Sequence, residues 1–336
     1  MAAVRPEPVR EPGPIAQVRA RVDAVLVGFL GEVRAELAGA DPRATVLVDE
    51  LLRLVRAGGK RIRPALCYWG YRAAGGADGE AIVRAAAALE LLHTFALIHD
   101  DVMDRTPTRR GVAATHVRFA RDHGPLPEAE RLGSSLAILA GDLAMVLADR
   151  LLDDSGFPPA ALLEARRRYH RMRTEMAVGQ LLDLTTPAAG PEEVLRISAL
   201  KTAAYTTWGP LEVGAVLAGA SAGALAALER FALPLGQAFQ VRDDLEEEAP
   251  EAGATVLLAL AREGASEDEL AVLGRAASDP EAAARSRGIV EARGARVRAR
   301  ALLEGLVAQA VEALEGAAVD PEAREALGRI ARALLP

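Results

Sequence analysis

From about residue 14 to the end of the chain, apolar residues recur at spacings of three and four positions, with no sustained alternation anywhere. That pattern predicts helices throughout and no sheet. The interruptions fall at "AGADPR", "RAGGKRIRP", "GGADGE", "RDHGPLPEAE", "DDSGFPP", "TTPAAGPEE", "EEEAPEAGA" and "ASDPEAAA". Several of them place Asp or Ser before a helix, or Pro in its first turn, and together they mark about a dozen helices. No repeat of fixed period and no long linker breaks the series. The expected architecture is all-α, one large helical bundle over residues 15–336. Residues 1–14, "MAAVRPEPVREPGP", carry proline and charge without the apolar stretch of a signal peptide, and are expected to be a disordered lead-in.

Two segments depart from the amphipathic norm. "GEAIVRAAAALELLHTFALIHDDVMD", ending at Asp104, is apolar on nearly every side after Arg84. A helix of that kind belongs in a core. "LERFALPLGQAFQVRDDLEEE", residues 228–248, repeats the design, with Gln237 and Gln240 inside it and Pro234 as a point where it can kink. Each buried helix ends in acids: Asp100, Asp101 and Asp104 in the first, Asp243, Asp244 and Glu247 in the second.

Composition narrows the possibilities. The chain has 336 residues, 51% of them apolar and only 4% aromatic, a helix-forming mixture rich in Ala and Leu. Its net charge of −7, with no long basic block, argues against a nucleic-acid partner. Apolar stretches are broken by charge or His within about 18 residues, so no transmembrane segment is expected. Cys67 is the only cysteine, which excludes an internal disulfide framework and fits a reducing cytoplasm. Among 40 basic residues only Lys60 and Lys201 are lysines, and both fall inside motifs described next.

Asp100 and Asp104 are four apart and share a helix face, with Asp101 one step round; Asp243 and Glu247 repeat the spacing beside Asp244. Like charges so placed repel, and a helix C-terminus is the wrong end of the dipole for anions. Something cationic must compensate. Arginines in a structural salt-bridge network would do so. So would Mg²⁺, which takes carboxylate oxygens and is commonly shared with substrate phosphates. "GGKRIRP" offers Lys60, Arg61 and Arg63 after a flexible glycine pair, with Pro64 suited to a helix start. It lacks the P-loop pattern. Arg109 and Arg110 supply two further guanidinium forks. His93 lies two turns before Asp100, and Lys201 and Thr202 sit in an otherwise apolar helix where a lysine needs an anion nearby.

Taken together, "GGKRIRP", "LLHTFALIHDDVMDRTPTRRG", "GDLA", "GQLLDL", "KTAAYT" and "FQVRDD", in this order, resemble the trans-polyprenyl (isoprenyl) diphosphate synthase family. The resemblance is strong over residues 45–248 and weak in the helical tail. It implies an all-helical fold around a deep central cavity, in a homodimer. It also implies the reaction: Mg²⁺ at both acidic motifs draws diphosphate from an allylic substrate, and the double bond of isopentenyl diphosphate attacks the allylic cation. In the same way it implies Asp100, Asp104 and Asp243 as metal ligands, with Asp101, Asp244 and Glu247 completing the acidic sets. Lys60, Arg63, His93 and Arg110 match the isopentenyl diphosphate site. Arg109, Lys201 and Gln240 match the allylic diphosphate site. Thr202 and Gln180 match polar groups near the reacting cation, and Asp183 an acid close to the metals.

The chain departs from the family at the second motif. There the pattern is DDxxD followed by a longer loop bearing lysines, whereas "DDLEEEAPEAGATVLLALARE" has Glu247 for the last aspartate, a short loop and no lysine. Two other classes follow from that departure. A terpene-cyclase-like enzyme would ionise an allylic diphosphate alone, but would have no use for Lys60, Arg63, His93 and Arg110. A noncatalytic partner subunit would not need the intact first motif. Product length is expected to be set by residues a turn or two before Asp100, since a helix advances about 5.4 Å per turn, close to one isoprene unit. Phe95 is five and Ala96 four positions before Asp100, which in the resembling family goes with intermediate products such as geranylgeranyl diphosphate, with farnesyl diphosphate next.

Overall fold

A computed structural model describes residues 13–109, 111–124, 128–186, 191–246, 255–276 and 279–335, with the backbone alone at Pro191, Leu195, Ser198, Lys201, Thr202 and Pro280. Among the described residues there are fifteen α-helices, one 3₁₀ turn, one π-helical segment and a single two-stranded hairpin. The fold is all-α, as the periodicity predicts. The expected lead-in lies outside the described residues up to residue 12, but Gly13 and Pro14 already belong to the first helix.

The chain gathers into two compact units: residues through Tyr68 with Asp78–Leu162, and Trp69–Ala77 with Leu163 onward. In the first unit, α1 (Gly13–Ala40) buries Val18, Val22, Leu26, Leu30 and Val33, one residue per turn. A 3₁₀ turn, Pro42–Ala44, follows, capped by the Asp41 side chain on the Arg43 amide, and leads into α2 (Thr45–Arg56). The helix α3 (Ile62–Ala73) carries the chain across the division between the units. The core of the first unit is α4 (Glu80–Met103), where every residue from Ala85 to Leu92 is buried. It packs along α6 (Ala129–Asp153) and also against α1, α2 and α5 (Thr115–Asp122). Among the described residues α4 is the one helix long and apolar enough to cross a membrane, and 67% of its apolar stretch is buried inside the protein, as for a core helix. The hairpin β1 (Thr108–Arg109) and β2 (Val112–Ala113) follows α4, with Gly111 in its turn at φ +77°.

The second unit begins along α7 (Pro159–Thr185). After it, α8 (Pro191–Ser198), the π-helical segment Ala199–Trp208 and α9 (Gly209–Leu217) follow without a break. Next come α10 (Ala222–Glu246), α11 (Val256–Arg262), α12 (Glu267–Arg275), α13 (Pro280–Ala292), α14 (Ala295–Ala313) and α15 (Pro321–Arg332). The long α10 continues through Pro234 and packs on the π-helical segment and on α14. Its approach to the π-helical segment needs a glycine. A Cβ on Gly236 would lie 2.3 Å from the Ala203 Cβ and 2.8 Å from the Thr207 hydroxyl. The Thr207 hydroxyl in turn stands 2.8 Å from both the Ala203 and Ala232 carbonyls, joining the two elements.

Candidate active site

The first acidic motif closes α4. Asp104 is the C-cap residue, its amide donating to the Asp100 carbonyl at 2.8 Å. Asp100 is half-buried and Asp104 exposed, while Asp101 is only 3% exposed. The chain leaves the helix through Arg105 at φ +53°, a left-handed conformation rare outside glycine. That turn sends the hairpin back toward α4. Arg109 then donates to Asp101 Oδ1 from Nε at 2.8 Å and from Nη2 at 2.5 Å. Burial pushes the Asp101 carboxyl above the usual range, and Arg109 pulls it part of the way back. The far end of the hairpin is anchored as well. The Thr115 hydroxyl donates to buried Glu50 at 2.7 Å, and Glu50 also binds Arg53.

The second motif closes α10 in a matching way. Asp243 is exposed and Asp244 is 3% exposed. Asp244 accepts from Gln240 Nε2 at 2.7 Å through Oδ1, and from the Val256 amide at 2.6 Å through Oδ2. Burial pushes the Asp244 carboxyl up to about 6 against the pull of these donors, and the charges of Asp243 and Asp183 add to the rise. Asp183, on α7, therefore stands close to the second motif. Glu246 receives a hydrogen bond from Arg242 Nε at 2.7 Å. Glu247 lies outside the described residues, as does Arg110.

The basic loop between α2 and α3 sorts its three cations. Lys60 is exposed and Arg63, in the first turn of α3, is half-buried. Arg61 is 3% exposed and faces inward. It donates to Asp23 at 2.7 Å, to Glu90 at 2.5 Å and to the Val55 carbonyl at 2.8 Å, and its own backbone is held at φ +50°. The sequence offers Arg61 as one of three cations of the loop; the structure makes it an internal strut. His93, Phe95 and Ala96 are half-buried on α4, and Gln180 and Gln240 half-buried in the second unit. The backbone places Lys201 and Thr202 in the π-helical segment, whose wider turns are a common device at functional sites; their side chains are outside the description.

The structure thus separates the acids of each motif. Asp101 and Asp244, grouped with the metal ligands by sequence, are both committed to internal donors. Among the described residues no three acidic, histidine or cysteine side chains are grouped so as to hold a metal ion unaided. Asp100 and Asp104 in the first unit, and Asp243 in the second, each offer hard carboxylate oxygens, the kind of donor Mg²⁺ takes when it is shared with phosphate oxygens. Glu90, the buried partner of Arg61, belongs to none of the sequence motifs. Its signal is a lone acid inside the apolar run "ALELLHTF".

Residues 45–249 match the polyprenyl synthetase family model. A short chain isoprenyl diphosphate synthase of Methanothermobacter thermautotrophicus is 32% identical over 320 residues, covering 89% of this chain and 92% of the relative. A geranylgeranyl diphosphate synthase of Methanosarcina mazei is 36% identical over 202 residues, 59% of this chain and 58% of the relative. Among solved structures, a geranylgeranyl pyrophosphate synthase from Corynebacterium glutamicum, complexed with isoprenyl diphosphate and magnesium, superposes with a TM-score of 0.88 at 32% identity, over 95% of this chain and 99% of that one. The chain belongs to the polyprenyl synthetase family, a family of prenyltransferases.

Proposed function

We propose that the protein condenses isopentenyl diphosphate with an allylic diphosphate in a Mg²⁺-dependent reaction, giving an all-trans prenyl diphosphate, with geranylgeranyl diphosphate as the main product. The observation that carries this reading is the pair of apolar helices, α4 and α10, each ending in exposed and buried aspartates. Residues 15–336 form one catalytic domain in this reading, in a cytoplasmic homodimer.

Asp100, Asp104 and Asp243, with Glu247, would hold Mg²⁺. Bound there, the metal supplies charge that stabilises departing diphosphate. Lys60, Arg63, His93 and Arg110 bind isopentenyl diphosphate and place its double bond. Lys201, Gln240 and Arg109 hold the allylic diphosphate. Arg109 does so while bonded to Asp101, which fixes its fork before substrate arrives. Thr202 and Gln180 supply polar groups to the developing cation, and Asp183 adds negative charge near the second motif. The proton lost at the end passes to the departing diphosphate. The chain's contribution is preorganised charge around that leaving group. Asp101 and Asp244 act as braces and leave the ligand set. The growing tail runs from Asp100 back along α4 until Phe95 stops it, with Ala96 leaving room beside it.

The test is incubation of purified protein with isopentenyl diphosphate, each allylic primer and Mg²⁺, with products identified by mass. Twenty-carbon diphosphate, abolished by chelation and restored by Mg²⁺, is the expected result. Hydrocarbon or alcohol formed from the allylic substrate alone would replace this reading with a cyclase-like one. No turnover with any primer would replace it with a partner-subunit role.

A further inference from the structure

The motif "GDLA" takes no part in the reaction as described, yet its glycine makes one of the closest approaches in the first unit. A Cβ on Gly141, in α6, would lie 2.3 Å from both Cδ2 and Nε2 of His99 and 3.5 Å from Cε1, and these are its three nearest neighbours. The His99 ring therefore fills the notch that a side chain at 141 would occupy. It is held there by α6. Nε2 lies 3.2 Å from the Ile138 carbonyl, so this nitrogen carries the proton and donates, with Asp142 Oδ1 3.7 Å away. The ring also meets Phe95, one turn earlier on α4, with centroids 4.7 Å apart and planes at 61°. Such edge-to-face contact selects one orientation of an aromatic ring over its alternatives. Phe95 is only half-buried, so it needs that selection.

We propose that His99, seated against Gly141, is a positioning residue that fixes the Phe95 ring and thereby sets the length of the prenyl product. This rests on Phe95 being the floor of the tail channel. Removing the imidazole opens space toward α6, and the floor retreats. Adding a methyl at 141 drives the imidazole out of its notch onto Phe95, and the floor advances.

The experiment measures product distributions by mass for wild type, Phe95→Ala, His99→Ala, His99→Asn, Gly141→Ala and the double variant Gly141→Ala/His99→Ala. Circular dichroism and melting curves check that each is folded. His99→Ala and His99→Asn are expected to at least double the share of product five carbons longer than the wild-type main product. Gly141→Ala is expected to at least double the share five carbons shorter. The double variant should match His99→Ala, because the methyl has lost the ring it strikes. If Phe95→Ala lengthens the product but neither His99 variant does, the proposal fails and the floor stands. An unchanged distribution in Phe95→Ala removes the floor and the proposal with it. A double variant that keeps the Gly141→Ala shortening shows the methyl acting elsewhere. Complete loss of product in both His99 variants would make His99 essential to turnover rather than to length. Either of these last two results overturns the proposal. Failure of Gly141→Ala to fold leaves the two His99 variants to decide it.

Discussion

The Asp244 carboxylate accepts the amide of Val256 at 2.6 Å, twelve residues down the chain, and so ties the end of α10 to the start of α11. Asp243, its neighbour, is exposed. The two adjacent aspartates therefore have separable roles. Asp244→Ala leaves the buried Val256 amide without its partner, a loss of about 1–3 kcal/mol of stability. Asp243→Ala, at an exposed position, should lower the melting temperature of the unliganded protein less than Asp244→Ala does. It should instead raise the reaction barrier by about 3–5 kcal/mol through lost electrostatic stabilisation. Thermal melts and single-turnover rates for both variants check the contrast. An Asp243→Ala destabilised as much as Asp244→Ala, or an Asp244→Ala of wild-type stability, would reverse the assignment.

The same division holds at the first motif, where Asp101 is buried under Arg109. Arg109→Lys keeps the charge but cannot offer Nε and Nη2 together to one oxygen. It should raise the KM for the allylic substrate while leaving that for isopentenyl diphosphate within twofold. Steady-state kinetics with each substrate varied in turn measures both. Equal rises in the two constants would mean that Arg109 acts on the whole site rather than on one diphosphate.

Lys60 and Arg61 are neighbours in sequence and opposites in role. Lys60→Ala removes an exposed cation, so stability should change by less than about 0.5 kcal/mol while the isopentenyl diphosphate KM rises at least tenfold. Arg61→Ala strips buried Glu90 of its counter-charge, a change of the kind that costs about 3–5 kcal/mol. Denaturant titration of the two variants should separate them by that margin. Similar unfolding midpoints would show that the Asp23–Arg61–Glu90 group does not hold the loop.

Much of this was legible in the chain. The three- and four-residue spacing shows the helices, and the two apolar segments ending in acids are α4 and α10, largely buried helices of the first and second unit. What the pattern could not show is which way a residue turns when its neighbours share its chemistry. Lys60, Arg61 and Arg63 are three alike cations until Asp23 and Glu90, 38 and 29 positions from Arg61, bond to the middle one. Asp100 and Asp101 differ by one helical step, and only the returning hairpin decides which is covered. That hairpin pairs two residues with two, too few to display an alternation. The π-helical segment was hidden for a different reason. It packs closely on α10, with Gly236 against Ala203, a contact between residues far apart in sequence that no repeat of apolar positions displays.

The last expectation concerns the stretch after the second motif. From Lys201 to the end of the chain there is no further lysine, whereas the resembling enzymes carry lysines in a longer loop there. Asp244 pins Val256, so the connection from Glu246 to the Thr255 cap of α11 spans only residues 247–254. Fewer charge-assisted hydrogen bonds are then available to the allylic diphosphate from this side. If the proposed assignment holds, Arg109 and Lys201 carry a larger share of its binding. Inserting a lysine-bearing loop of family length after Glu247 should lower the allylic KM several-fold, with Asp244 kept so that the anchor at Val256 survives. The same insertion with its lysines changed to glutamine separates charge from length and should restore the original KM. If both insertions lower KM equally, loop length rather than charge limits binding. If neither does, another cation of this chain already occupies that place.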